Sequence, residues 1–241
     1  MKIFGKIAYN GTNYLGWQRQ NESKTIQGIL EDTLTKILNE NIVVCGSGRT
    51  DAGVHASGQT FHFEVNKTVD ISHLKYSVNC LLPNDIHILE LKEVSDDFHA
   101  RFSAKGKHYS YTIILGENDP FNNTFAHIQK APIDIELFKK AIKRFDGQNN
   151  FQNFTSKQID DWGFIRNVQT QINIEGNKVV LNFYGNGFMK YMIRFMVGTA
   201  LEVARGKENI AYIDENLNSK ERKIVRYKAP SCGLKLEEVI Y

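Results

Sequence analysis

The chain has 241 residues, 41% of them hydrophobic and 24% charged, with 18 Gly and only 4 Pro, a composition that excludes disordered, collagen-like and low-complexity classes. Lysine and arginine total 30 against 27 acidic residues, a net charge of +3 that names no partner by itself. A mean hydropathy of -0.38, the lack of any apolar run approaching about 18 residues, and the direct passage from Met1-Lys2 into Ile3 argue against membrane spans and a signal peptide. A soluble, cytoplasmic protein is expected, and the length allows two compact lobes.

In chain order, Ile3, Phe4, Ile7 and Tyr9 predict a strand, with turn chemistry in Asn10-Gly11-Thr12-Asn13. Ile26, Ile29, Leu30, Leu34, Ile37 and Leu38 have helical spacing, with Thr25 as the N-cap. Strands are predicted at Ile42 to Cys45 and at Phe61, Phe63 and Val65, then a helix at Ile71 to Val78 and a strand at Ile86 to Leu91. The order β-α-β-β-α-β is the split βαβ, or ferredoxin-like, arrangement.

The second half repeats that order. Tyr109, Tyr111, Ile113 and Leu115 alternate as a strand, and a helix face begins at Asp134 and stops at Gly147. Two strands, Gln171 to Ile174 and Val179 to Tyr184, flank Glu175-Gly176-Asn177; an apolar helix from Phe188 to Arg205 and a strand from Leu234 to Tyr241 follow. The expectation is an α+β fold of two pseudo-symmetric ferredoxin-like lobes, residues 1–103 and 104–241. Their antiparallel sheets would be joined around a central cleft, with one face of each sheet uncovered.

Chemistry concentrates in Gly46-Ser47-Gly48-Arg49-Thr50-Asp51-Ala52-Gly53-Val54-His55-Ala56. Glycines permit close approach of a ligand, and Arg49 near Asp51 favours an ionised carboxylate. A phosphate loop is the first alternative, but the Gly-Lys-Ser/Thr ending is missing and a strand, not a helix, comes next. Composition alone leaves a plain hydrated loop equally open. Cys45, Cys80 and Cys232 are widely spaced and odd in number, so reduced thiols are expected. His55 and His62 are isolated in sequence from Cys or acidic partners, so no metal is expected.

The run from Gly48 to Ala56 resembles, without a mismatch, the signature loop of the TruA family of tRNA pseudouridine synthases. Further landmarks agree in order: Tyr9-Asn10-Gly11-Thr12, Gly16-Trp17-Gln18-Arg19-Gln20, Gly58-Gln59, Leu82-Pro83, Asp97-Phe98-His99-Ala100-Arg101-Phe102-Ser103-Ala104, Tyr109-Ser110-Tyr111, Ala229-Pro230 and Gly233-Leu234. The resemblance implies a tRNA-modifying isomerase with Asp51 as nucleophile, Tyr109 as the active-site tyrosine and Arg194 as the arginine paired with Asp51. It also implies uridines 38, 39 and 40 of the anticodon stem-loop as targets, a homodimer, and no cofactor.

Each residue also has a reading of its own. Asp in a Gly-rich loop most often bonds its own backbone, and Tyr109 shares a strand face with Tyr111 and Ile113, so it could be a core aromatic. Arg194 falls on a helical stripe with Lys190, Gly198 and Glu202, yet the helix is too apolar to be exposed, and a buried arginine needs a partner. Arg49 is assigned with Tyr109 to substrate binding. Arg101, Lys105 and Lys107, with His108, form an acid-free run suited to RNA phosphates, and Lys220, Arg222, Lys223, Arg226 and Lys228 form a second basic run interrupted only by Glu221; a solvated surface is the alternative for both. Lys107 and His108 replace arginines common in the family, and Asp160 and Asp161 beside Trp162 make an acidic departure. The competing functions are a non-catalytic RNA binder, whose aromatic signature is absent, and a nucleoside hydrolase, which needs a second carboxylate.

Overall fold

Thr25 is extended (φ -128°, ψ 155°), and its side chain accepts from the Gly28 N–H; this N-cap starts α1 (Ile26–Leu38) at the expected residue. The structure is a computed structural model describing residues 1–21, 23–118, 120–158 and 163–241. The fold is mixed α+β, and the chain divides into two units, Met1–Lys105 with Lys235–Tyr241, and Gly106–Leu234. No helix among the described residues is long and apolar enough to cross a membrane.

The first unit contains β1 (Lys2–Tyr9), α1, β2 (Cys45–Gly46), β3 (His55–Glu64), α2 (Ile71–Leu81) and β4 (Ile86–Val94). β1 lies between β3 and β4, antiparallel to both. Its core includes Ile3, Ile7, Leu30, Leu34, Phe61, Phe63, Val78 and Ile88, all nearly inaccessible to solvent.

The second unit contains β5 (Gly106–Leu115), β6 (His127–Gln129), α3 (Ile135–Lys143), β7 (Gly147–Asn150), β8 (Ile165–Glu175), β9 (Lys178–Gly185), α4 (Met192–Ala204) and α5 (Ala211–Asn218). β9 is antiparallel to both β5 and β8, β7 extends the sheet beyond β8, and β6 runs parallel to β5. Asp134 caps α3 by accepting from the Leu137 N–H at 2.9 Å.

Three departures from the sequence pattern have physical causes. The strand expected at Ile42 to Cys45 shrinks to β2 because α1 side chains take its backbone groups. Ile42 N–H donates to Thr35 Oγ1 (3.0 Å), Val44 N–H to Glu31 Oε1 (3.0 Å), and Gln27 Nε2 to the Val44 carbonyl (2.9 Å). Second, β10 (Leu234–Ile240) groups, beyond its first residue, with the first unit and not with the 104–241 lobe. It pairs in parallel with β3 at His55 and Ala56, and Lys105 N–H reaches the Ile240 carbonyl at 2.8 Å. Third, the sheet face opposite Phe61 is not bare in this unit. Phe4, Phe98 and Tyr241 pack edge-on or tilted with centroids 5.2 to 5.8 Å apart, and the Tyr241 hydroxyl bonds both Thr60 Oγ1 and the Ala100 carbonyl.

In the second unit α4 crosses the 227–229 segment at Gly198, where a Cβ would stand 2.5 Å from the Tyr227 carbonyl oxygen and 2.8 Å from the Ala229 nitrogen. The Gly198→Ala variant should lose about 1–3 kcal/mol through overpacking. Thermal denaturation checks this; an unchanged melting temperature would show that the crossing can widen without cost.

Candidate active site

Residues 47–54 belong to no strand or helix, so their backbone polar groups need partners elsewhere. The 9–17 segment supplies several. Trp17 N–H donates to the Thr50 carbonyl at 3.1 Å and Gly53 N–H to the Tyr14 carbonyl at 3.2 Å, while Val54 N–H returns to the Asp51 carbonyl at 3.1 Å and closes a turn around Ala52-Gly53. Side chains add a second set of restraints. The Tyr9 hydroxyl pairs with Thr50 Oγ1 at 2.8 Å, Ser47 Oγ donates to Gln59 Oε1 at 2.8 Å, and Gln59 Nε2 donates to the Gly48 carbonyl at 3.0 Å. Gly11 N–H donates to His55 Nδ1 at 3.1 Å.

Gly16 makes this mounting possible. Its φ is +89°, and a Cβ there would stand 2.5 Å from the Thr50 carbonyl oxygen. The carbonyls of Gly16 and Trp17 in turn accept from Ile26 and Gln27 at the start of α1, at 3.2 and 2.9 Å. The Asp51 loop is thereby tied to a helix end through one short segment, with Trp17 fully packed beneath it. Burial pushes the Tyr9 phenol up, against hydrogen bonds to Thr50 and Gln59 that pull it down, so Tyr9 remains a neutral hydrogen-bonding group.

Within this loop Thr50 is buried, Asp51 is half-buried and Arg49 is exposed. The carboxylate-bearing residue sits at the boundary between packed loop and solvent. Arg101 and Lys105, also in the first unit, are exposed, and the Arg101 guanidinium lies 5.6 Å from the centre of the exposed Phe102 ring.

In the second unit Tyr109 lies on β5, 7% accessible, opposite Phe183 and edge-on to Phe188 at 5.3 Å. Its neighbour Tyr111 is fully buried and donates to the Pro230 carbonyl at 2.9 Å. Lys107 is half-buried on the same strand. His108 stacks on Tyr184 at 4.3 Å, and its Nε2 meets Asn182 Oδ1 at 2.8 Å, so this departure from arginine is absorbed within the sheet.

Arg194 lies in the first turn of α4 and is half-buried. Its Nε donates to the Ala229 carbonyl at 2.8 Å, and Ala229 N–H donates back to the Arg194 carbonyl at 2.9 Å. The stripe that looked solvent-facing in the sequence is therefore covered by residues 227–229 at Arg194 and Gly198. The acidic stretch Asp160-Asp161-Trp162 falls outside the described residues.

One cluster escaped the sequence reading. Cys45, His62 and His99 each present a donor atom, all within 4.8 Å of one another. The donor set does not fit a cation. His62 Nδ1 accepts from Ala100 N–H, and His99 Nδ1 accepts from Arg101 and Phe102 N–H, at 3.1 to 3.3 Å, so each neutral ring carries its proton on Nε2. That nitrogen then has no lone pair to give a metal. His99 Nε2 lies 3.6 Å from Cys45 Sγ and donates to it. Burial, reinforced by His99 and Lys2 and opposed by Glu64, lowers the His62 imidazole to about 4.

With this geometry in view, comparison with known proteins is decisive. The family model for tRNA pseudouridine synthase matches residues 7–103 and 141–241. The chain belongs to the tRNA pseudouridine synthase family. It is 38% identical over 237 residues to tRNA pseudouridine synthase A 2 of Clostridium perfringens, covering 98% of this chain and 97% of the relative. Against tRNA pseudouridine synthase A of Clostridium kluyveri the identity is 39% with the same coverage. Against tRNA pseudouridine synthase A 1 of Desulfotalea psychrophila it is 37%, again covering 98% and 97%. The matched stretches include Asp51 and Arg194, whereas Tyr109 lies between them.

Two predictions concern how the synthase holds its loop and the cluster behind it. Gly16→Ala forces a side chain into the left-handed region against Thr50, at about 1–3 kcal/mol for the backbone alone; tRNA modification should fall together with thermal stability. For His62, a folded-state value below the ordinary 6.5 means that the unfolded chain takes up the proton first. Its contribution is complete above about pH 6.5 and is lost as pH falls toward 4. The stability difference between wild type and His62→Gln, measured by denaturant titration, should therefore shrink from pH 7 to pH 4.5, and a constant difference would refute the assignment.

Proposed function

We propose that this synthase isomerises uridine to pseudouridine at positions 38, 39 and 40 of the tRNA anticodon stem-loop, with Asp51 as the nucleophile. In the reaction the N1–C1′ bond breaks, the uracil turns, and a C5–C1′ bond forms. N1 gains a proton and C5 loses its hydrogen, so no atom of the RNA is gained or lost overall. A single carboxylate suffices because no water is consumed, unlike the two-carboxylate glycosidases.

The observation that carries the reading is the mounting of Asp51. A half-buried Asp51 stands on a loop fixed on both sides by backbone hydrogen bonds, Trp17 N–H to the Thr50 carbonyl and Gly53 N–H to the Tyr14 carbonyl, and such pre-positioning is what a covalent step requires. In this reading Arg194 pairs with the Asp51 carboxylate and keeps it ionised, and Tyr109 supports the flipped uracil ring. Arg49 is assigned to substrate binding. Arg101, Lys105 and Lys107 meet the RNA backbone, whose target nucleotide must leave the stack at a cost of a few kcal/mol. We further propose two ferredoxin-like lobes joined around a cleft, a cytoplasmic homodimer, and chemistry that needs no cofactor.

Tritium release from tRNA labelled at C5 of its uridines tests the assignment directly. Wild type should release tritium, whereas Asp51→Asn should retain RNA binding and lose turnover by at least about 10³-fold, the scale expected when a covalent participant is removed. Turnover by Asp51→Asn at the wild-type rate would remove the nucleophile role. RNA binding without release by wild type would favour a binding protein.

A further inference from the structure

Tyr191 precedes α4 with φ +63°, one of two non-glycine residues with positive φ among those described. Its half-buried ring gathers three cationic side chains. Lys228 Nζ lies 4.2 Å from the ring centre, Lys190 Nζ 5.1 Å, and the Arg194 guanidinium carbon 5.3 Å. The three come from two segments, residues 190–194 leading into α4 and the end of the second basic run. Reciprocal bonds between Arg194 and Ala229 hold those segments together. Cation–π attraction draws each ammonium to the ring, while like charges this close repel one another.

Carboxylates do not relieve the repulsion on the lysines. Among the described residues none lies within 4.0 Å of Lys190 Nζ or Lys228 Nζ, and both side chains are exposed. The two exposed ammonium groups, held beside one ring, offer positive charge to an anion. Two exposed ammonium groups suit phosphate as point charges, without the fixed fork of arginine. The backbone is also fixed locally, since the Lys190 carbonyl accepts from the buried Thr155 hydroxyl at 2.9 Å.

We propose that Lys190 and Lys228, organised on the Tyr191 ring, form a phosphodiester-binding subsite for substrate RNA next to Arg194. The inference rests on the tRNA-modifying reading given above and deepens it by naming where the backbone is gripped. Lys190 and Lys228 are positioning residues for the RNA, and they act by charge. Each phosphate neutralised releases counterions, so the subsite leaves a signature in the salt dependence of binding that a structural lysine would not.

The test measures the affinity of the full-length protein for a tRNA anticodon stem-loop between 50 and 300 mM KCl. Three double variants are compared: Lys190→Gln with Lys228→Gln, Lys190→Arg with Lys228→Arg, and, as a matched charge control on α3, Lys139→Gln with Lys140→Gln. The glutamine pair at 190 and 228 should flatten the slope of log K against log salt by about 1.4, two phosphates at about 0.7 each for single-stranded RNA. The arginine pair should restore the slope, and the α3 pair should leave it at the wild-type value. An unchanged slope in the 190/228 glutamine pair, or an equal loss in the α3 pair, would overturn the subsite. Wild-type protein that fails to bind the stem-loop would instead overturn the underlying reading of the substrate.

Discussion

The structure depends on how a loop without secondary structure is kept rigid. Residues 47–54 carry Asp51 but belong to no strand or helix, and the turn closed by Val54 N–H on the Asp51 carbonyl covers only the end of the loop. The Trp17 N–H to Thr50 carbonyl bond and the Gly53 N–H to Tyr14 carbonyl bond, reinforced by Tyr9 to Thr50, make the 9–17 segment a second wall for it. The same segment caps the α1 backbone, so the loop inherits the rigidity of a helix packed on a sheet. The close approach requires glycine at two places in that segment: a Cβ on Gly16 would stand 2.5 Å from the Thr50 carbonyl oxygen, and one on Gly11 2.0 Å from that of Val54.

The second unit solves a different problem. Arg194 begins α4, a helix so apolar that most of its side chains are inaccessible, and an arginine in that setting must find acceptors. One is the Ala229 carbonyl. The close approach of residues 227–229 that supplies this acceptor is possible because residue 198, one turn further along the helix, is glycine. Packing of the helix and orientation of the guanidinium therefore have a common cause. The same crossing brings Lys228 to the Tyr191 ring.

Two histidines are also accounted for by packing. His108 stacks on Tyr184 and bonds Asn182, so it serves the sheet. His62, which the sequence presented as an isolated histidine on a strand, is surrounded by Cys45, His99 and Phe98. Backbone donors at both Nδ1 atoms set the tautomers there, and the cluster is a hydrogen-bonded plug.

Much of this was legible in the residues alone. Helical spacing and the Thr25 and Asp134 caps marked where α1 and α3 begin, because these depend on neighbours within one turn. The signature loop identified Asp51, because a run of nine residues can be matched without knowing the fold. Other features were hidden for reasons equally physical. β7 reads Gly-Gln-Asn-Asn, with no apolar alternation, and is a strand only because β8 offers it an edge. The Ile42 to Val44 segment has strand propensity but loses its ladder to Thr35, Glu31 and Gln27 of α1. The grouping of residues 235–241 with the first unit, the mounting of the Asp51 loop by residues 9–17, and the gathering of three cations on Tyr191 all depend on groups distant in sequence. Local pattern carries the short-range terms of the energy, and only the folded chain settles which long-range partners satisfy the rest.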